Sequence, residues 1–430
     1  MIYHLFQYLE SIGVDFPGIG LMHYLSFRAI LAAVTAVLTA MLAGKRIIRW
    51  LQRRQIGETV RDLGLADQIQ KKGTPTMGGI IIILSIMTGV LLFCDLTNIY
   101  VLLLIVSTIW CGALGFTDDY IKVFRHNKEG LSEKGKLLGQ IVLGFIIGLT
   151  VWMSPDIVVR EKVEVPESVE RVLETETTVT SGRYVQEDVV KSTKTTIPFV
   201  KNHEFDYRWL SPVKGVWGWY AKWAIYVLMI VLVITACSNG TNLTDGLDGL
   251  AAGTSALVGI VLGLLAWLGG NLIDSNYLNI MYIPGSGEIA IFMSAFVGAL
   301  VGFLWYNSFP AQVFMGDTGS LTIGGVIGVS AVLMRKELLL PLLCGIFFVE
   351  SLSVLLQRFY FKRTRKKTGV GHRIWSMTPL HHHYQDKKAP EGPVIFPKPV
   401  PPQHEAKITV RFWIVGIILA VSTLALLKIR

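Results

Sequence analysis

Charge is what this sequence has least of. Only 17% of its 430 residues are Asp, Glu, Lys or Arg, while 52% are hydrophobic. Soluble globular proteins carry about a quarter charged residues, so this chain has too little polar surface to cover itself in water. That excludes a soluble multidomain protein and leaves an integral membrane protein. Cysteine is scarce as well. Cys94, Cys111, Cys237 and Cys344 all lie in or beside apolar stretches, and their spacing suits neither a disulfide framework nor a zinc site. The opening segment Met1–Met22 lacks the basic start and small-residue cleavage site of a signal peptide, and is expected to be an interfacial lead-in to the first helix. The formal charge of +9, from 40 Lys and Arg against 31 Asp and Glu, is not spread evenly. It sits in short blocks beside apolar runs, which read as topology signals and make a nucleic-acid partner a poor explanation.

What the chain has in abundance is apolar runs near the bilayer-spanning length of about 20 residues. They fall at 24–44, 77–95, 99–117, 137–154, 219–237, 250–269, 288–306, 321–335, 338–357 and 411–428. The expected fold is therefore an all-α polytopic membrane protein of about ten transmembrane helices. The run at 321–335 is short and Gly-rich, the least secure of the set. With ten spans, alternate loops lie on opposite sides. One set holds Lys45 through Lys72, Lys122 through Lys136, and Arg358 through Arg373; the other is nearly free of basic residues, Arg335 and Lys336 excepted. The positive-inside bias puts the basic loops in the cytoplasm and both termini outside.

Two insertions interrupt the helices. Residues 155–218 alternate apolar and polar positions in IVVREKVEV, VERVLETETTVT and RYVQEDVV, with Ser181-Gly182 as a hairpin turn, so a small β-rich extracytoplasmic insertion is expected. Ala389–Gln403 is Pro-rich and expected to be an extended linker without a core. The resulting division is helices 1–4 in 1–154, the insertion in 155–218, helices 5–9 in 219–357, a basic and histidine-bearing loop in 358–410, and a last helix in 411–430.

Five polar patches share the cytoplasmic face: KKGTPTMGG from Lys71, DDYIK from Asp118, NGTNLTDGLDG from Asn239, the stretch from Asn307 to Ser320, and TPLHHHY from Thr378. Singly, each has a bland reading. An acidic pair is most often a helix end, Gly-Thr-Pro can be helix-start punctuation, a histidine triplet rarely supplies good metal geometry, and the basic run after 357 is an orientation anchor. Together they argue for one site. Asp118, Asp119, Asp245, Asp248 and Asp317 supply hard carboxylate oxygens, which repel unless a cation or proton intervenes. Mg²⁺ suits such oxygens when phosphate completes its shell. Lys71, Lys72, Lys122 and Lys134, with Gly-rich turns, add anion-binding groups. The combination points to magnesium-assisted phosphoryl transfer between a water-soluble and a lipid substrate.

The blocks KKGTPTMGG, GFTDDYIKV, NGTNLTDGLDGLA, FMGDTGSL and TPLHHHY, in this order, resemble those of the phospho-N-acetylmuramoyl-pentapeptide transferase family, from about Lys45 to the C-terminus apart from the two insertions. The resemblance implies a bacterial inner-membrane enzyme with its active site facing the cytoplasm. It implies that undecaprenyl phosphate attacks the β-phosphate of UDP-N-acetylmuramoyl-pentapeptide, giving the lipid diphosphate and UMP. It also implies Mg²⁺ as cofactor and a homodimer. By position, Asp317 matches the magnesium ligand, with Asp118 and Asp119 as further candidate ligands. Asp118, Asp119, Asp317, Asp245 and His381 form the implied catalytic group. Asp118 would hold or deprotonate the lipid phosphate, a modest base role because that phosphate is already largely ionised. Substrate binding is implied for Lys71, Thr76, Lys122, Lys134, Asn242, Leu247, Asp248, Asn307, Phe314, Gln357 and His382, with Phe314 as a stacking surface for uracil. A covalent route through Asp317 and direct attack by the lipid phosphate stay open at this point. So do two alternatives: a sibling enzyme transferring N-acetylhexosamine 1-phosphate to a polyprenyl phosphate, and a secondary transporter, which the lack of an internal repeat disfavours.

Overall fold

The computed structural model describes residues 1–14, 18–54, 73–125, 127, 129–160, 190–198, 204–278, 280–385, 392–399 and 401–427. After a short helix α1 (Ile2–Ser11), the bundle is built from α2 (Leu25–Arg54), α3 (Gly79–Phe93), α4 (Ile99–Phe124), α5 (Glu133–Met153), α6 (Val216–Thr244), α7 (Leu250–Gly270), a one-loop helix α8 (Leu272–Leu278), α9 (Gly287–Asn307) and α10 (Gly316–Leu333). The C-terminal part adds α11 (Leu340–Leu343), α12 (Gly345–Thr368), α13 (Leu380–Gln385) and α14 (Glu405–Leu426). Eight of these helices are long and apolar enough to cross a membrane, and the α11–α12 pair makes a ninth if it counts as one span. The fifteen-residue α3 is a shorter apolar helix of about 22 Å at 1.5 Å per residue. The ten apolar runs thus correspond to helices, in an all-α polytopic membrane protein.

Two runs differ from straight spans. The Gly-rich run expected at 321–335 begins earlier, at Gly316, and is the most enclosed helix of the bundle, packed by α4, α6 and α3. Its glycines and small residues let neighbours come close, which explains a composition that reads poorly as a lipid-facing span. The run at 338–357 is broken: α11 and α12 meet at a bend of 77°. Cys344, at φ −94° and ψ 26°, leaves the helical region between them, and Pro341 sits in the first turn of α11. The α12 helix then runs on to Thr368, where Arg365, Lys366 and Lys367 face the negative end of its dipole and Gly369 closes it in the left-handed region.

Termini of the long helices are set by local capping. The side chain of Asn98 accepts from Tyr100 N–H to open α4, and Ser132 accepts from Gly135 N–H to open α5. At the end of the bundle opposite the acidic patches, α1 docks on the lead-in. The Arg28 guanidinium lies 4.1 Å from the Tyr3 ring and pairs with Glu288 at 2.6 Å, while the other oxygen of Glu288 accepts from Asp95 N–H.

The insertion at 155–218 carries β structure where it is described. Val159 bridges Val190 in antiparallel sense, joining the first and third expected strands, and Arg160 bridges Tyr282. The Ser181-Gly182 turn lies outside the described residues. A further antiparallel pair, β1 (Lys194–Thr196) with β2 (Glu204–Asp206), falls where no strand was expected. This pair accounts for the two basic residues that break the positive-inside pattern. Arg335 and Lys336 are buried; Arg335 O accepts from Thr196 N–H and the Thr195 hydroxyl, and Lys336 Nζ donates to Thr196 Oγ1 at 2.6 Å. The Arg335 guanidinium is buried over the Tyr226 ring, 4.6 Å from its centroid, so both charges lie inside the protein and act little as topology signals. The Pro-rich stretch is also tied down: β4 (Val394–Phe396) pairs in parallel with β3 (Arg373–Trp375).

Candidate active site

The loop ends of α4, α6, α9 and α10 meet at one end of the bundle, and the approach of α4 to α10 builds the centre. A Cβ on Gly115 would fall 2.1 Å from Asp317 O, so only a glycine lets the two backbones come this close. One turn further along α4 are Asp118 and Asp119. A carboxylate oxygen from each of Asp118, Asp119 and Asp317 lies within 4.8 Å of the others.

The three carboxylates do different work. Asp119 caps α10 from another helix: Oδ1 accepts from Asp317 N–H at 3.1 Å, and Oδ2 accepts from Thr318 N–H at 2.8 Å and its hydroxyl at 2.6 Å. The first turn of a helix leaves N–H groups without intrahelical partners, and the local N-cap, Met315, offers no side-chain acceptor. A buried carboxylate there also suits the positive end of the dipole. Asp118 and Asp317 face each other across two lysines. Lys122 Nζ lies 2.5 Å from Asp118 Oδ2 and 3.2 Å from Asp317 Oδ2; Lys136 Nζ lies 2.9 Å and 2.5 Å from the same two oxygens. Carboxylates at this spacing repel strongly in a low-dielectric setting, and the two ammonium groups offset that repulsion. The remaining oxygens are engaged too: Asp118 Oδ1 accepts from Leu131 N–H at 2.6 Å, and Asp317 Oδ1 from Asn242 Nδ2 at 2.9 Å. The hydroxyl of Thr76 lies beside Gly316, next to Asp119 Oδ2.

Around this centre, expected site residues act as ties between loops. Asn307 is buried; its Oδ1 accepts from Gly249 N–H at 3.1 Å and its Nδ2 donates to Val313 O at 2.9 Å. Asp248 is buried, with Oδ2 accepting from Ala311 N–H and its own N–H donating to Glu405 Oε1 at 2.7 Å. Leu247 packs with Leu250 and Ile408. Asp245 is half-buried in the turn after α6. Phe314, also half-buried, joins two loops through its backbone, its N–H donating to Pro75 O and its O accepting from Gly78 N–H, both at 2.8 Å.

The histidine stretch comes in from α13. His381 is buried between Glu350 and the turn after α6: its N–H donates to Glu350 Oε1 at 3.2 Å, and Nε2 is the atom that a Cβ on Gly246 would strike at 2.1 Å. His382 is half-buried, its ring 4.2 Å from that of His381 and its Nδ1 3.2 Å from Gln385 Oε1. Gln357 lies away from the acids and holds the strand leading to the histidines, accepting from Ile374 and Trp375 N–H and donating to Trp375 O.

Two lysines stand otherwise than expected. Lys71 lies outside the described residues. Lys134 is exposed in the first turn of α5, and Lys136 holds the position beside the acids. Two residues apart on a helix is about 200°, so only one of the pair can face inward. The signal was available: Lys136 and the buried Gln140 stand four apart, on the face that continues through Leu143, Gly144 and Ile147. Glu350 and Glu405 were missed as well. Glu350 stands as a lone acid inside an apolar run, a pattern that marks a functional or paired residue.

A family model described as Glycosyl transferase family 4 matches residues 189–335, and one described as Phospho-N-acetylmuramoyl-pentapeptide-transferase signature 1 matches residues 71–83. Among curated proteins, those named phospho-N-acetylmuramoyl-pentapeptide-transferase from Parabacteroides distasonis and Azobacteroides pseudotrichonymphae are each 54% identical to this chain, and one from Porphyromonas gingivalis is 53% identical. Each alignment covers 100% of this chain and 100% of the relative.

Proposed function

The chain belongs to the phospho-N-acetylmuramoyl-pentapeptide transferase family, and from that premise we propose that it transfers phospho-N-acetylmuramoyl-pentapeptide from its UDP-activated form to undecaprenyl phosphate, releasing UMP. The observation that carries the reading is the pair Asp118 and Asp317 bridged by Lys122 and Lys136 at the end of the bundle where four loops converge. The reaction brings two anions together, so its barrier is largely electrostatic. Lys122 and Lys136 are positioned to draw phosphate oxygens, and both are partly open to solvent, at 29% and 20% side-chain exposure.

The donor set also fits a hard divalent cation. Its oxygens are all carboxylate, they lie within 4.8 Å, and one side is accessible through Asp317. Asp317 and Asp118 would hold the ion, each turning an oxygen away from a lysine. Asp119, with its oxygens committed to the start of α10, would orient Asp317. When bound, Mg²⁺ supplies charge neutralisation on the transferring phosphate oxygens and leaves water in part of its shell.

For the remaining chemistry, Asp118 positions the acceptor phosphate, which is already largely ionised near neutral pH. Asn242, which donates to Asp317, and the half-buried Asp245 in the turn after α6 would read the nucleotide sugar, with Phe314 against uracil and Thr76 near the phosphates. His381 would act at the turn after α6, with His382 and the Gln357-braced strand lining the approach. With Oδ1 held by Asn242 and Oδ2 given to the ion, Asp317 would have no oxygen left to attack, which favours direct attack by the lipid phosphate over a covalent aspartyl route. An apolar groove of about 600 Å³ at the α11–α12 bend, lined by Ile346, Val349, Phe412 and Leu419 with Tyr384 and Arg411 beside it, suits the prenyl chain of the acceptor. The basic loops argue for this end lying in the cytoplasm, and membership of the family carries the reading of a bacterial inner-membrane protein working as a homodimer.

The test is direct. Purified protein with undecaprenyl phosphate and Mg²⁺ should release UMP from UDP-N-acetylmuramoyl-pentapeptide and none from UDP-N-acetylglucosamine. The reverse preference would assign the chain to the N-acetylhexosamine branch instead.

A further inference from the structure

Glu350 is the one acid in the stretch GIFFVESLSVLLQ of α12, and it is fully buried. An ionisable side chain in such a stretch is costly to bury and is kept where it has a partner to serve. Its partner is His381, buried to the same degree. Oε1 of Glu350 accepts from the His381 N–H at 3.2 Å and lies 3.4 Å from Nδ1 of the same residue. Among the described residues, neither ring nitrogen of His381 makes a hydrogen bond; Nδ1 has the charged contact with Glu350, and Nε2 has none. That atom faces the Asp245–Leu247 turn, against the α-carbon of Gly246.

We propose that Glu350 is a positioning residue for His381, holding Nδ1 as the protonated nitrogen so that Nε2 is the atom offered to the Asp245–Leu247 turn and to the sugar-phosphate part of the nucleotide substrate. Which ring nitrogen carries the proton is set by the groups around the ring, and a carboxylate favours it on the nitrogen that it faces. Here the backbone N–H of His381 bonds Glu350 Oε1 and Nδ1 lies 3.4 Å from the same oxygen, so the carboxylate charge favours the proton on that nitrogen. Burial strengthens that attraction, since no water screens it. Glu350 sits on α12 and the turn follows α6, so the histidine also couples the bend of the broken span to the nucleotide side of the cleft. The proposal rests on the assignment of His381 to the active site made above.

Two measurements decide it. In protein labelled with ¹⁵N-histidine, the His381 ring signals, identified by their loss in His381→Asn, should show a single tautomer with Nδ1 protonated. Glu350→Ala should convert this to a mixture and lower kcat by about 10- to 100-fold, the scale on which carboxylate partners of functional histidines act, with KM for the nucleotide substrate within about 3-fold. Glu350→Gln, whose amide oxygen still accepts, should recover most of the turnover. In a His381→Asn background, Glu350→Ala should cost nothing further, because its effect runs through the ring. A wild-type ring protonated on Nε2 would overturn the proposal even if Glu350→Ala fails to fold. So would full turnover in Glu350→Ala, or a loss that adds to that of His381→Asn. Wild-type protein inactive on UDP-N-acetylmuramoyl-pentapeptide would sink the functional assignment instead, while the ring signals still judge the Glu350–His381 pair.

Discussion

Asp119 and Thr318 are 199 residues apart in sequence, yet Asp119 Oδ2 accepts from both the backbone N–H and the hydroxyl of Thr318, at 2.8 and 2.6 Å. One carboxylate thereby closes the start of the most enclosed helix and sets the direction in which the next side chain back, Asp317, enters the cleft. The neighbouring acids have separable duties, and substitutions should separate them.

Asp119→Ala should lower stability as well as activity. The buried donors of Thr318 would lose their acceptor, and loss of a helix cap costs about 0.5–2 kcal/mol. Thermal unfolding in detergent should show a lower midpoint than wild type, and restored stability without restored activity in Asp119→Asn would show that the charge matters beyond the cap.

Asp317→Asn should fold and insert normally while losing turnover by about 10²–10³-fold, the scale of removing one electrostatic group aimed at the reacting centre. Titrating Mg²⁺ against UMP release checks it: the variant should not recover at any metal concentration. Turnover within about 3-fold of wild type would remove Asp317 from the mechanism.

Lys136→Ala should reduce kcat/KM by about 10²-fold, because it leaves Asp118 and Asp317 facing each other across Lys122 alone. Lys134→Ala, on the opposite face of the same helical turn, should stay within about 2-fold of wild type. Parallel UMP-release assays at one salt concentration distinguish them, and equal losses would contradict the helix phase described for α5.

Thr196→Val should destabilise the protein by about 1–3 kcal/mol by removing the hydroxyl that meets the buried Lys336 ammonium, yet leave kcat unchanged. The reason is distance. The α10 helix has Asp317 in its first turn and ends two residues before Arg335, about 27 Å away at 1.5 Å per residue. A lower unfolding midpoint with wild-type turnover is the expected result.

Mixing the protein with UDP-N-acetylmuramoyl-pentapeptide in the absence of acceptor lipid should give no stoichiometric release of UMP. Direct attack needs the lipid phosphate before the phosphoanhydride breaks. A burst equal to the enzyme concentration in rapid-quench measurements would instead establish a covalent intermediate.

Much of this molecule was readable from the chain alone, for reasons particular residues make plain. A span announces itself through some 20 apolar residues in a row, since lipid offers the backbone no hydrogen bonds. The acidic and Gly-rich blocks announced themselves because carboxylates are rare in such a chain. Lys136 was passed over for Lys134 because the choice depends on helix phase, which the neighbouring Gln140 reveals only when that face is known to be buried. Glu350 was visible as a lone acid, but its partner His381 was not, because the two meet only after the chain leaves α12, forms β3 and turns back in α13.

Residue order alone sufficed for membrane class, the apolar runs that become helices, location of the polar blocks and family, since these depend on composition and on contacts within one or two helical turns. The folded chain was needed to show that Asp119 caps α10 while Asp118 and Asp317 share two lysines, that the span after Glu337 breaks by 77°, and that the strands after Val190 shelter Arg335 and Lys336. Each of those outcomes turns on which long-range neighbours a buried charge or an open helix end can find. In a medium without water, that choice is made by packing.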